Sequence, residues 1–218
     1  MTRRSLLFAC GAGTALTLLG IAFLDPIVAR WAAQTPAWML VAFRQGTTVL
    51  EVVFGFPVSK FALGFLLLIA ASVFMGRRRP LALVLLYVGA THLTARLAAG
   101  MLKNVFGRER PFEALPDYEG AFFVDGSSFP SGHAAHFWSL FFPLALLFPR
   151  YRLPLLVLPL FVSVARVAVG DHFLSDVTAS AALSALVAWG FAYIFRMPRD
   201  ERIEALPVAS KEAVTEEA

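Results

Sequence analysis

The sequence predicts an all-α protein: a polytopic membrane bundle of six transmembrane helices, with interfacial helices on its outer side. Three observations carry this expectation. Of 218 residues, 58% are hydrophobic and 16% charged, with a mean hydropathy of +0.70; soluble domains are about 45–50% apolar and about 25% charged. Apolar runs of span length recur along the whole chain and leave no room for a large soluble domain. The basic residues sit in short turns between those runs rather than in one patch, which fits membrane topology and argues against nucleic acid as a partner. The chain reads as one membrane-embedded domain over 1–218, ending in a short acidic tail, 197–218, that is expected in the cytoplasm.

Arg3 and Arg4 precede the apolar run 6–24. A cleaved leader would look similar, but the length suits a retained first span, ended by Asp25 and Pro26. The single cysteine, Cys10, lies in this run; it cannot form an intramolecular disulfide and reads as packing. Residues 26–56 are apolar but broken by Arg30, Gln34, Pro36, Arg44, Gln45 and Glu51, and they hold Trp31 and Trp38. They read as one or two helices lying at the outer interface, where tryptophan prefers to sit. A true span across 37–54 would carry Arg44 and Glu51 to membrane depth at high cost.

Residues 58–75 form a clean span with Lys60 at its outer end, followed by the basic turn Arg77-Arg78-Arg79-Pro80. Residues 81–102 form the next span. The segment 103–131 is polar and holds Glu109, Glu113, Asp117, Glu119 and Asp125, so it reads as an exposed loop. Spans follow at 134–148, 153–169 and 177–195, separated by the basic turn Pro149-Arg150-Tyr151-Arg152 and the short break Gly170-Asp171-His172. The arginine-rich segments all fall on one side, which the positive-inside rule makes cytoplasmic. The 103–133 loop and the 170–172 break then share the outer face.

Three clusters of chemistry-bearing residues meet on that face. The first is Lys103 and Arg110, seven apart and so able to share a helical face, with Pro111 next to them. The second is Pro130-Ser131-Gly132-His133. Pro130 suits a first helical turn, so Ser131, Gly132 and His133 are expected at an open helix N-terminus, where unpartnered N–H groups bind phosphate. The third is Arg166, His172 and Asp176. His172 and Asp176, four apart, are expected one turn apart on the helix entering the last span, where a carboxylate would orient an imidazole. Inside the third span His92 and Arg96 are also four apart; Arg96 lies seven residues before Lys103, on nearly the same face. These two are candidate headgroup contacts or a structural pair. His136 reads as packing.

Lys103-x6-Arg110-Pro111, Pro130-Ser131-Gly132-His133 and Arg166-x5-His172-x3-Asp176 together resemble the three-part signature of the type 2 phosphatidic acid phosphatase family, which is related to vanadium-dependent haloperoxidases. The match covers residues 103–176. The resemblance implies an integral membrane phosphatase of a bacterial inner membrane, with its site facing the periplasm or exterior. It would hydrolyse lipid phosphate monoesters or pyrophosphates: phosphatidic acid, phosphatidylglycerophosphate, undecaprenyl pyrophosphate or lipid A. It implies His172 as a nucleophile forming a phosphohistidine, Asp176 as its orienter and His133 as general acid. Lys103, Arg110, Ser131, Gly132 and Arg166 would bind the phosphate. No metal and no cofactor are implied; the partners are the bilayer and a phospholipid or isoprenoid-lipid phosphate. One position departs from the family pattern: Ala165 stands where serine is usual, which removes one phosphate hydrogen bond.

Three other readings share these residues. A lipid phosphotransferase would use the same site. A metal-dependent hydrolase would use His133, His136, His172 and Asp176 as ligands. A transporter would need ionisable residues near mid-membrane in several spans, and only His92 and Arg96 approach that.

Overall fold

The computed structural model describes residues 1–56, 59 and 61–197. Val58 and Lys60, and the tail beyond Met197, lie outside the described residues. Every regular element among the described residues is helical. Helix α1 (Arg3–Leu19) passes through a π-helical turn (Gly20–Leu24) into α2 (Asp25–Ala32), and α3 (Ala37–Val53) follows. Then come α4 (Ala62–Phe74), α5 (Arg79–Phe106), α6 (Gly132–Leu147), a 3₁₀ turn (Pro149–Tyr151), α7 (Arg152–Ala168) and α8 (Leu174–Ile194). Four helical stretches among the described residues are long and apolar enough to cross a membrane: Arg3–Ala32, Arg79–Phe106, Pro149–Ala168 and Leu174–Ile194. The apolar helix α4 is shorter, at 13 residues, and α6 has 16.

Local chemistry sets most helix ends. Thr2 caps α1 reciprocally: its hydroxyl accepts from Ser5 N–H and its own N–H donates to Ser5 Oγ, which satisfies two of the orphan donors of the first turn. Asp25 and Pro26 do not end the first helix as the sequence suggested. The π turn carries the chain through, because Pro26 falls in the first turn of α2, where a missing N–H is tolerated. Gly107, at φ +43°, closes α5 in the left-handed conformation glycine favours. Lys103 therefore lies on the last turn of α5 rather than in the following loop.

α1 packs along α8, α4 against α5, and α6 against α5, α7 and α8. α6 is the centre of the bundle, with Phe137, Leu140, Phe141, Phe142 and Leu146 all buried. Facing it, α8 presents Ser180, Ser184, Ala185, Ala188 and Ala192, all buried, and side chains this small let helices approach closely in a membrane. The Tyr87 hydroxyl donates to the Ala188 carbonyl across the core at 3.0 Å. α3 packs on α7, while Trp31 and Trp38 remain 75% and 71% exposed, as residues at a lipid or interfacial surface would be. The bundle places the start of α2, the residues just after α5 and the starts of α6 and α8 together. The Arg3 guanidinium donates to the Met197 carbonyl at the opposite end.

Candidate active site

The centre of the site is the start of α6. Ser131 is the N-cap, and its hydroxyl accepts from Ala134 N–H at 3.4 Å. Pro130 therefore precedes the helix instead of occupying its first turn; the serine hydroxyl can accept a first-turn N–H and takes the boundary. The loop is tied to α8: Ser131 N–H donates to the Asp176 carbonyl at 3.0 Å and Ser180 Oγ donates to the Ser131 carbonyl at 2.8 Å. Gly132 and His133 begin the helix, where amides have no intrahelical acceptor and attract anions.

The cations converge on the loop before this helix. The Lys103 ammonium donates to the Ser127 carbonyl, and the Arg110 guanidinium donates to Ser127 Oγ through Nε and a terminal nitrogen at 3.3 and 3.2 Å. They do not share a helical face as their spacing suggested, because Gly107 ends α5 between them. They meet because the loop folds back onto both. Arg166, from the last turn of α7, pairs with Asp171 at 2.7 Å, and its Nε has no hydrogen-bond partner among the described residues. Buried Ala165 offers no hydroxyl, and Ser163 does not replace it: its Oγ donates to the Pro159 carbonyl and accepts from Trp138 Nε1.

His172 lies on the turn before α8, not on the helix itself. Its N–H donates to the Arg166 carbonyl at 3.2 Å, and its Nδ1 is 3.4 Å from Asp176 Oδ2 and 3.5 Å from Ser128 Oγ. Asp176 Oδ2 also accepts from Phe173 N–H at 2.8 Å and from Ser128 Oγ. Burial pulls the His172 imidazole down to about 4; Asp176 opposes that shift, and the charges of Lys103 and Arg166 add to it. At neutral pH the His172 imidazole is therefore held in its neutral form.

His133 Nε2 is 2.9 Å from Glu51 Oε1 on α3, and its ring stacks on Phe56, with centroids 4.4 Å apart. Arg96 is buried behind the same loop: it donates to the Gly132 carbonyl and lies over the Phe56 ring. His92 is fully buried, with Nδ1 2.9 Å from Ser139 Oγ. It also makes an edge contact with His136 at 4.6 Å between centroids.

Sequence reasoning missed four residues here. Asp25, Arg108 and Ser175 form a buried group with Asp176, and Glu51 reaches His133. Arg108 was read as part of an exposed loop, yet it is 1% exposed. A basic residue two positions before Arg110 was the only signal, and nothing local separates it from a solvated charge.

Fold and site together define a helical membrane protein in which a buried histidine–aspartate pair sits beside a helix N-terminus, with Lys103 and Arg110 bonded to the adjoining loop and Arg166 on the adjoining helix end. The PAP2 superfamily model matches residues 81–200, and the chain belongs to that superfamily. It is 36% identical over 129 residues to the lipid A 1-phosphatase of Rhizobium johnstonii, covering 55% of this chain and 52% of that protein. It is 34% identical over 141 residues to the lipid A 1-phosphatase of Rhizobium etli, covering 57% and 60%. The chain thus spans between half and three fifths of the length of these relatives. The crystal structure of a transmembrane PAP2-type phosphatidylglycerolphosphate phosphatase from Bacillus subtilis shares the fold, with a TM-score of 0.56 at 22% identity. That match covers 92% of this chain and 99% of that one.

Proposed function

We propose that the protein is a lipid phosphate phosphatase that works through a phosphohistidine. The observation that carries this reading is the contact of His172 Nδ1 with Asp176 Oδ2 beside the Ser131-capped start of α6. With Nδ1–H directed at the carboxylate, Nε2 holds the lone pair that attacks phosphorus. The P–Nε2 bond forms as the bond to the leaving alcohol breaks, and His133 gives its proton to the departing oxygen. Water then attacks phosphorus, passes a proton to His133 and releases phosphate as the N–P bond breaks. Lys103, Arg110, Arg166 and the first amides of α6 neutralise the phosphoryl oxygens; phosphoryl transfer demands chiefly such positioning and charge stabilisation. Binding of phosphate would draw Arg166 from Asp171.

The substrate class is a lipid phosphate monoester or pyrophosphate presented at the outer leaflet. The names of the relatives, lipid A 1-phosphatase and phosphatidylglycerolphosphate phosphatase, support a lipid-borne phosphate. In this reading α1, α4, α5, α6, α7 and α8 cross the membrane and α3 lies at the outer interface. The arginine-rich turns then face the cytoplasm and the site faces the exterior.

The test is release of inorganic phosphate by purified protein from a panel of phosphatidic acid, phosphatidylglycerophosphate, undecaprenyl pyrophosphate and lipid A, with and without a strong chelator. Release from one of them, unaffected by chelation, is expected. Transfer of the phosphoryl group to a second lipid without free phosphate would make the protein a phosphotransferase. Loss on chelation with rescue by metal would end the metal-free reading.

A further inference from the structure

We infer that Arg108, anchored by Asp25, is a positioning residue for the reaction: it fixes the Asp176 carboxylate so that Oδ2 faces His172. This deepens the proposed function and rests on His172 being the nucleophile.

Arg108 is the largest fully buried side chain among the described residues. A guanidinium can be buried only if its donors are met, and here every nitrogen has a partner. Nε donates to the Gly120 carbonyl at 3.2 Å. One terminal nitrogen donates to Ser175 Oγ at 2.7 Å and to Asp176 Oδ1 at 2.8 Å. The other donates to Asp25 Oδ2 at 2.7 Å. Its guanidinium carbon lies over the rings of Phe122 and Phe173, 4.6 and 4.0 Å from their centroids, which suits a flat, delocalised cation. Its main chain is pinned as well: the Arg108 carbonyl accepts from Ser128 N–H at 2.8 Å.

The consequence falls on Asp176. A carboxylate can rotate about its last bond, and either oxygen could then meet the imidazole. Arg108 takes Oδ1, leaving Oδ2 to Phe173 N–H, Ser128 Oγ and His172 Nδ1. Asp25 supplies the second negative charge, so Arg108 does not draw Asp176 away from the imidazole. Asp25 is itself held by Ser175, whose N–H donates to Oδ1 at 3.0 Å and whose Oγ donates to Oδ2. The π turn delivers Asp25 to this place, and a side chain at Gly20 would put its Cβ 2.9 Å from Ser175 Cβ. One hydrogen-bonded line thus runs from the first helix through Arg108 to the nucleophile. None of Arg108's described contacts is with Lys103, Arg110 or Arg166, so its removal leaves the phosphate clamp in place.

The experiment uses the full chain, with nitrophenyl phosphate as probe, because its acidic leaving group makes turnover report attack by His172. Arg108→Gln, Arg108→Lys and Asp25→Asn are compared for kcat, KM, inhibition by inorganic phosphate and thermal unfolding. Arg108→Gln is expected to lower kcat about 100-fold, the scale of losses from a slightly misplaced catalytic group, with KM and phosphate inhibition within about threefold of wild type. Arg108→Lys should not rescue it, since one ammonium cannot fork between two carboxylates. Asp25→Asn keeps one acceptor oxygen, enough for either Ser175 N–H or the oxygen that Arg108 and Ser175 Oγ share, and removes the charge together with the other acceptor; it should lower kcat about tenfold, about 1.4 kcal/mol. A folded Arg108→Gln or Asp25→Asn protein with normal kcat overturns the inference. So does a parallel loss of kcat and phosphate binding, or loss of the fold in every variant, either of which makes the group purely structural. Turnover by His172→Ala, measured separately, would strike the phosphohistidine reading and take the positioning role with it.

Discussion

Glu51 Oε1 lies 2.9 Å from His133 Nε2, so α3 reaches the residue proposed as general acid. The contact stabilises a protonated imidazole. Glu51→Gln keeps a hydrogen-bonding side chain and removes the charge. It is expected to lower kcat on a lipid phosphate about tenfold, near the ~1.5 kcal/mol of one hydrogen bond to a charged group, and to change turnover of nitrophenyl phosphate much less. An equal loss on both substrates would show that Glu51 acts on something other than proton donation.

The two histidines should separate in the same pair of assays. His172→Ala should be inactive on both substrates, since no phosphoenzyme forms. His133→Ala should lose about 10²–10⁴-fold on lipid phosphate, the usual worth of general acid–base help, and distinctly less on the activated ester. Phosphohistidine should accumulate in His133→Ala if water attack also needs that imidazole, which acid-quench labelling would detect. Each variant is first checked for helical content by circular dichroism.

The depressed His172 titration gives a pH dependence of definite sign. Burial lowers the folded imidazole's pKa to about 4 from 6.5, so the proposed nucleophile stays unprotonated as pH falls through about 6. The rate of nitrophenol release in a single turnover should hold at about pH 5.5 and fall only as the pH approaches 4. A midpoint near 6.5 would contradict a buried neutral nucleophile. Stability follows the same pair of values: between them the unfolded chain binds a proton that the folded chain does not. The contribution from His172 is therefore present above 6.5 and lost as pH falls towards 4.

Gly126 should be far less replaceable than Gly100. A Cβ at Gly126 would lie 2.1 Å from the Arg108 carbonyl oxygen, a backbone atom that cannot step aside, whereas one at Gly100 meets nothing within 4 Å. Gly126→Ala is expected to destabilise by about 3 kcal/mol, in the range of overpacking, and to lower kcat through Arg108. Gly100→Ala, on the surface of α5, should be neutral or stabilising by up to about 1 kcal/mol. Thermal unfolding of the two purified variants decides this.

Apolar runs separated by arginine turns, Ser131 to His133 ahead of an apolar helix, and the His172–Asp176 spacing were all legible in the sequence, because each depends on neighbours within a few positions. Helix ends were less legible. A cap is a contest between adjacent groups, so Ser131 displaced Pro130 from the helix start, and a π turn carried the first helix past Asp25. Glu51 could be noticed only as a charge unwelcome in a span. The Asp25–Arg108 pair could not be read at all. Its members stand 83 positions apart, and each alone looks like a solvated charge at the end of an apolar run. Composition and the pattern of apolar runs determined the helical membrane bundle, and the order and spacing of a few motif residues carried the family resemblance. Only the tertiary structure decided which buried charges meet, because a buried ion pair depends on the mutual approach of elements and on every remaining donor finding an acceptor.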